Sequence, residues 1–216
     1  MTASPSEAIS RVIGALTPDP RRPDCIRILV QGRPLLTIPR ELAVAEELAP
    51  GAQLDDTRYA RLCAAADAEA AFRTAVRFLE RRPFAERDLT RRLVLKGHSP
   101  GAAAAALDRG RALGLVDDAR FVLHYVETRA ARGRGPLRLR RDLAALGVER
   151  GLVDRALDGA FPEGAEAPEI ERLARKRLLQ LGALPRQVLR RRLLAFLGRR
   201  GFSGALVQRT VMTLVR

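Results

Sequence analysis

The chain has 216 residues, 47% of them hydrophobic, which is enough for one or two globular domains with a real core and too apolar for a disordered chain. It carries 39 Lys+Arg against 25 Asp+Glu, a net charge of +14, and all the basic residues except Lys96 and Lys176 are arginine. No apolar run is long enough to cross a membrane and MTASPSEAIS lacks a charged-then-apolar leader, so the expectation is a cytoplasmic protein with no membrane partner.

The first 66 residues hold 8 basic and 8 acidic groups, so this segment is neutral. Residues 9–16 and 25–30 (CIRILV) are β-rich runs on either side of TPDPRRPD, a turn-like stretch, and Gln31-Gly32-Arg33 leads into PLLTIP. The pattern predicts a small α+β cap of three short antiparallel strands, then a short helix over about 40–48 that stops at Pro50-Gly51. Cys25 and Cys63 have no His or Cys neighbour at ligand spacing and read as free thiols.

From residue 67 the periodicity is helical throughout. Leu89-x3-Leu93-x3-Gly97 matches Leu139-x3-Leu143-x3-Gly147 and Leu193-x3-Leu197-x3-Gly201, at offsets of 50 and 54 residues. Apolar or small residues follow each glycine at +6 and +10: Ala103 and Leu107, Val153 and Leu157, Val207 and Val211. A further helical stretch precedes each match, at 68–81, 118–132 and 166–181. The fold class expected is therefore mainly α: an elongated array of three tandem three-helix repeats at 67–116, 117–165 and 166–216, behind the cap at 1–66. Net charge over those repeats is +4, +1 and +9, which makes the last one the electrostatic hot end.

The central stretch 114–147 is the most informative. Asp117-Asp118 caps a helix start, where a carboxylate accepts bonds from free N–H groups. Phe121 and Tyr125, with Val122 and Val126, form an apolar stripe that reads as core and not as a base-stacking platform. Arg132-Gly133-Arg134-Gly135-Pro136 is a hinge, with Pro136 suited to the first turn of the next helix and backbone N–H groups expected to point outward. On the middle helices Arg91 and Arg141 lie opposite the leucines. Ala195 takes that place in the third repeat, with Arg191 one turn earlier. A polyanionic partner follows from this charge and its placement.

Catalytic chemistry is not legible. There is no phosphate-cradling G-x-x-x-x-G-K-[ST], and the hinge glycines lack the preceding strand of a dinucleotide site. Two histidines are too few for a metal cluster; His98, after a helix-ending glycine, reads as a surface or cap residue, and His124 as a helix-face residue. The expectation is a protein with no enzymatic activity, no cofactor and no metal.

Two sets of motifs carry a family likeness. One is Gly114-Leu115-Val116-Asp117-Asp118-x-x-Phe121, Tyr125-Val126-x-x-Arg129, and Gly133-x-Gly135-Pro136-x-x-Leu139-x3-Leu143-x3-Gly147-Val148. The other runs upstream from Phe78-Leu79-x-Arg81-Arg82-Pro83-Phe84-Ala85-Glu86-Arg87-Asp88-Leu89 to Lys96-Gly97-His98. Together they resemble the RecX family of recombination regulators, best over about 70–160. The third repeat lacks the Gly-x-Gly-Pro element.

The resemblance implies a non-enzymatic modulator that binds the RecA–DNA filament along its groove and inhibits ATP hydrolysis and strand exchange, acting in homologous recombination, DNA repair and the SOS response. In that setting Arg129, Arg132, Arg134, Arg138 and Arg141, with Arg91, would face the filament from the first two repeats. Arg190, Arg191, Arg192, Arg199 and Arg200 would face it from the third. Contact with single- and double-stranded DNA would be secondary and electrostatic, and the protein a monomer. The alternative is a basic helical architectural protein that binds nucleic acid with no dedicated RecA partner.

Overall fold

A computed structural model describes residues 11–216; Ile9 and Ser10, the start of the first expected strand, lie outside the described residues. The chain divides into two compact units, one running to Arg82 and resuming at Leu89–Leu115, the other made of Pro83–Asp88 and Val116–Arg216.

In the first unit, β2 (Ala15–Asp19), β3 (Arg22–Val30) and β4 (Arg33–Pro39) form an antiparallel meander. Gln31 and Gly32 turn β3 into β4 with φ of 50° and 76°, the paired positive values of a tight hairpin turn. The TPDPRRPD stretch, expected to be a turn, is mostly strand: β2 reaches Asp19 and β3 starts at Arg22. Asp19 makes this possible, because its carboxylate accepts from Arg21 N (2.8 Å) and Arg27 Nε (2.9 Å) and closes the hairpin. The expected 9–16 run breaks at Ile13-Gly14, and its first part, β1 (Arg11–Val12), pairs instead with β5 (Gln53–Leu54), a strand of only two residues that propensity did not reveal. Ile13, Ile28, Ile38, Ala43, Leu54 and Leu62 form the core beneath these strands and the short helix α1 (Arg40–Ala45).

Helix α2 (Asp56–Leu79) starts well ahead of the 68–81 stretch that periodicity picks out. Asp55 caps it by accepting from Arg58 N at 2.7 Å. The alanine-rich middle, Ala64-Ala65-Ala66-Asp67-Ala68, has strong helix propensity but little apolar period, so pattern alone under-reads it. α3 (Glu86–Leu95) and α4 (Pro100–Ala112) follow, and α4 packs on α2. Arg109 lies over the Phe72 ring at 4.0 Å and pairs with Glu69 at 2.8 Å.

His98 is no simple surface residue. It is half-buried, with Nδ1 2.8 Å from Asp67 Oδ1 and Nε2 3.1 Å from Thr74 Oγ1, whose own hydrogen goes to Ala70 O. Asp67 also accepts from Ser99 N at 2.8 Å, so one carboxylate ties the α3–α4 turn to α2.

The second unit holds α5 (Asp118–Ala130), α6 (Pro136–Ala145), α7 (Arg150–Ala160), α8 (Glu166–Leu181), α9 (Arg186–Arg200) and α10 (Ala205–Leu214). Among the described residues no strand follows Leu54. The repeat register is visible in burial: Leu89, Leu93, Leu139, Leu143, Leu193 and Leu197 are all fully buried, as are or nearly are the apolar positions behind each glycine. Two cores result, one around Phe121, Val122, Leu139, Leu143, Val153 and Leu157, the other around Ile170, Leu193, Leu197, Phe202, Val207 and Val211.

Asp117 and Asp118 divide their labour. Asp117 caps its own helix through Arg120 N (3.0 Å), while Asp118 reaches back to accept from Glu86 N (2.8 Å) at the start of α3. Ala85, just before that start, is buried in the α5–α7 core. One repeat thus lodges the entrance of the preceding repeat's middle helix.

The same arrangement joins α6 to α9. Gly135 N donates to Arg200 O (2.8 Å) and Leu137 N to Gly201 O (3.2 Å). A Cβ on Gly135 would stand 2.6 Å from Gly201 O, and one on Gly201, whose φ is +95°, would strike the backbone of Arg138.

Alanine substitutions at the three repeat glycines should separate strain from collision. Gly97→Ala meets open space at φ +93° and should cost about 1–2 kcal/mol for the left-handed backbone alone. Gly201→Ala adds a backbone clash and should cost roughly 2–5 kcal/mol, with Gly147→Ala between them, because the Arg87 side chain it meets can move. Urea unfolding of the three variants checks the order.

Asp67 generates a pH expectation. Burial raises its pKa, but the bonds from His98 and Ser99 outweigh that and hold it below the ordinary 3.8. A carboxyl depressed on folding contributes stability above its unfolded pKa and loses it as pH falls through the folded one. Thermal stability should therefore drop on acidification below about pH 4, and Asp67→Asn, weaker at neutral pH, should show a shallower acid loss.

Candidate polyanion interface

The Arg-Gly-Arg-Gly-Pro hinge is built into the fold before it is available to any ligand. α5 ends at Ala130, Gly133 turns the chain at φ +74°, and Arg134 N donates to Arg129 O at 3.1 Å. The hinge N–H groups expected to point outward do not all do so: those of Gly135 and Leu137 are spent on the carbonyls that end α9. The hinge is a joint between the second and third repeats.

The arginines around it fall into two kinds. Arg134 pairs with Asp142 at 2.7 Å and Arg138 with the same carboxylate at 2.9 Å, so both are partly neutralised. Arg129 lies over the Tyr125 ring at 5.1 Å. Arg190 donates Nε and Nη2 to Val215 O, at 3.2 and 2.9 Å, and so holds the end of α10 to α9. Arg200 donates to Arg132 O (3.1 Å) and Gly133 O (3.2 Å) and stacks on Phe196 at 5.1 Å. Arg140, outside the expected set, grips Asp154 with two nitrogens at 3.1 and 2.9 Å, and with Arg150 holds that carboxyl below its ordinary pKa.

The other kind is exposed. Arg141 on α6 and Arg191, Arg192 and Arg199 on α9 point to solvent, and among the described residues no carboxylate lies within ion-pair reach of them. On α9 these three and Ala195 share one face, opposite Leu189, Leu193 and Leu197. Arg132 is exposed too, its backbone tied to Arg200 while its guanidinium has no partner among the described residues. Arg91 is exposed on α3 in the first unit. The sequence signal for Arg138 was legible in its i,i+4 spacing to Asp142; that for Arg190 was not, because its acceptor is a carbonyl 25 residues away. The Glu171–Arg177 run, ERLARKR, outside the expected set, places four further cations on α8.

Among the described residues no group of His, Cys, Asp and Glu could hold a metal ion, and no helix is long and apolar enough to cross a membrane. Cys25 and Cys63 are free thiols, Cys25 buried with its pKa raised by that burial. Phe121 is buried and Tyr125 half-buried with ring centroids 5.8 Å apart, so they serve the core.

Separating the two kinds gives a direct expectation. Arg190→Ala strands the Val215 carbonyl and should cost about 1–3 kcal/mol in denaturant unfolding. Arg191→Ala and Arg192→Ala should stay within about 0.5 kcal/mol of the parent and instead weaken binding to a single-stranded oligonucleotide.

Three family models match the chain: the first, second and third three-helix domains of RecX, over residues 71–109, 117–157 and 169–211. Among curated proteins, the regulatory protein RecX of Chromohalobacter salexigens is 38% identical over 132 residues, 59% of this chain and 82% of that one. The regulatory protein RecX of Halorhodospira halophila is 34% identical over 147 residues, 65% of this chain and 85% of that one. A crystal structure of regulatory protein RecX superposes with a TM-score of 0.73 at 21% identity, covering 92% of this chain and 97% of that one. The structure of RecX from Lactobacillus salivarius gives 0.59 at 15% identity, over 68% of this chain and 96% of that one, and so shares the fold. With three consecutive domain matches in the register of its own leucine–glycine repeats, the chain belongs to the RecX family of regulatory proteins.

Proposed function

We propose that this protein binds the RecA–DNA filament and lowers RecA's ATP hydrolysis and strand exchange, restraining recombination and the SOS response. Family membership supports the partner. The observation that carries the mode of binding is the unpaired, exposed set Arg141, Arg191, Arg192 and Arg199 beside a second set committed to the fold. Charges already paired in the protein give up their partners at a cost, whereas solvated guanidiniums approach phosphate or carboxylate at once. The work is assigned to the repeats at 67–116, 117–165 and 166–216 and not to the neutral segment 1–66. Regulation needs no chemistry of its own: a monomer seated in the groove need only favour one filament state over another.

The test is RecA's DNA-stimulated ATPase with the full chain present at a fraction of the RecA concentration. Inhibition is expected, and the variant with Arg141, Arg191, Arg192 and Arg199 changed to Gln should need about tenfold more protein for the same effect. Its salt dependence on single strands should flatten by about 0.7 log units per lost phosphate contact. Unchanged ATPase despite tight DNA binding would favour a purely architectural DNA-binding protein; stimulation would overturn inhibition.

A further inference from the structure

In the second unit, a cavity of about 200 Å³ opens between α8, α9 and the end of α5, lined by Arg132, Arg172, Lys176, Arg177 and Arg200 with Phe196. Among the described residues no carboxylate lines it. Arg172 is partly neutralised, its guanidinium held by both oxygens of Glu169 at 2.7 and 2.6 Å. The other four cations have no acidic partner among the described residues. Arg200 gives only Nη1 to the hinge carbonyls and keeps its full charge, with no bond from its Nε or Nη2 among the described residues. Arg177 donates Nη1 to Gln180 Oε1 at 3.0 Å and lies over Phe196 at 5.5 Å, while its Nε is buried without any acceptor. A buried donor left unpaired is costly, and folded proteins seldom keep one unless something else satisfies it.

We infer that this cavity is a phosphate-binding site, with Lys176, Arg177, Arg132 and Arg200 as the cationic ligands and Phe196 as the platform that holds two of the guanidiniums in place. The chemical class follows from the lining. Four uncompensated cations around a small concave space call for a compact anion of more than one charge, and arginine's planar fork suits phosphoryl oxygens. At roughly 30 Å³ per water the cavity has room for a phosphoryl group and its sugar but not for a duplex. The phosphate can come from a single-strand backbone or from a free nucleotide. Because Arg200 and Arg132 also make the joint between the second and third repeats, a bound phosphate would cross-link α8 and α9 to the hinge and stiffen it.

The inference stands apart from the filament proposal, and its test contains no RecA. The full chain is melted in inorganic pyrophosphate and in sodium chloride of equal ionic strength. Pyrophosphate should raise the melting temperature of the parent and of Arg186→Gln/Arg209→Gln, which removes two exposed charges elsewhere, but not of Lys176→Gln/Arg177→Gln. Lys176→Gln alone, at an exposed position, guards against misfolding of the double variant and should give a reduced rise. An equal rise in all variants, or none in the parent, overturns the site. A fluorescent oligo-dT then separates the sources. Displacement of oligo-dT by pyrophosphate, together with a salt slope flatter by about 0.7 per lost cation in Lys176→Gln/Arg177→Gln, assigns the site to the nucleic-acid backbone. A pyrophosphate effect that oligo-dT does not compete with assigns it to a free nucleotide. Failure of RecA inhibition with these results intact would sink the filament proposal and leave the site standing.

Discussion

Backbone meets backbone where the second repeat enters the third. The end of α9 at Gly201 and the start of α6 at Gly135 approach so closely that a side chain on Gly135 would strike Gly201 and one on Gly201 would strike the backbone of Arg138. Two hydrogen bonds, Gly135 N to Arg200 O and Leu137 N to Gly201 O, hold the approach, and Phe202 seals it from the core side. The carbonyls that end a helix have no partner within it, so an incoming N–H pair is an economical way to satisfy them. Everything downstream inherits this geometry: the course of α6, the placing of Asp142 beside Arg134 and Arg138, and the Arg200 bridge to the hinge carbonyls. One repeat earlier Gly147 packs on the side chain of Arg87 and not on backbone, and Asp118 supplies the cap to α3.

A net charge of +14 is a poor guide to which arginines meet a partner. In this fold many guanidiniums are construction material. Some satisfy terminal carbonyls, as Arg190 does for Val215; some neutralise a half-buried carboxylate, as Arg134 and Arg138 do for Asp142; some lie on rings, as Arg109 does on Phe72. Each role uses the flat five-donor head in a way lysine could not copy, which is a physical use for arginine beyond solubility. The charges left over are the exposed face of α9, Arg141, and Arg132 and Lys176, the last two lining the α8–α9 cavity. A polyanion meets those first, because they are neither desolvated nor already paired.

Much of the fold was legible in the sequence. The spacing of Leu139, Leu143 and Gly147 and its two counterparts fixed which leucines are buried, and the acidic pairs at 55–56 and 117–118 mark real helix starts, though the first went unread. Local rules suffice there, since helical period and capping depend on neighbours three or four residues away. The hairpin closed by Asp19, the two-residue β1–β5 pairing and the long α2 escaped, because a two-residue strand has no period and an alanine-rich helix has no apolar face to count.

The candidate site was legible only as a composition. Sequence by itself determined the repeat, the family and the concentration of positive charge toward the C-terminus, all of which follow from residue type and spacing along one chain. Only the tertiary structure decided which of eleven expected arginines are free. Arg190 and Arg191 are adjacent and chemically identical, yet one faces the last turn of α10 and the other faces water. The difference is 100° of rotation about α9 against a neighbour 25 residues away, and no local pattern encodes where that neighbour's carbonyl will stand.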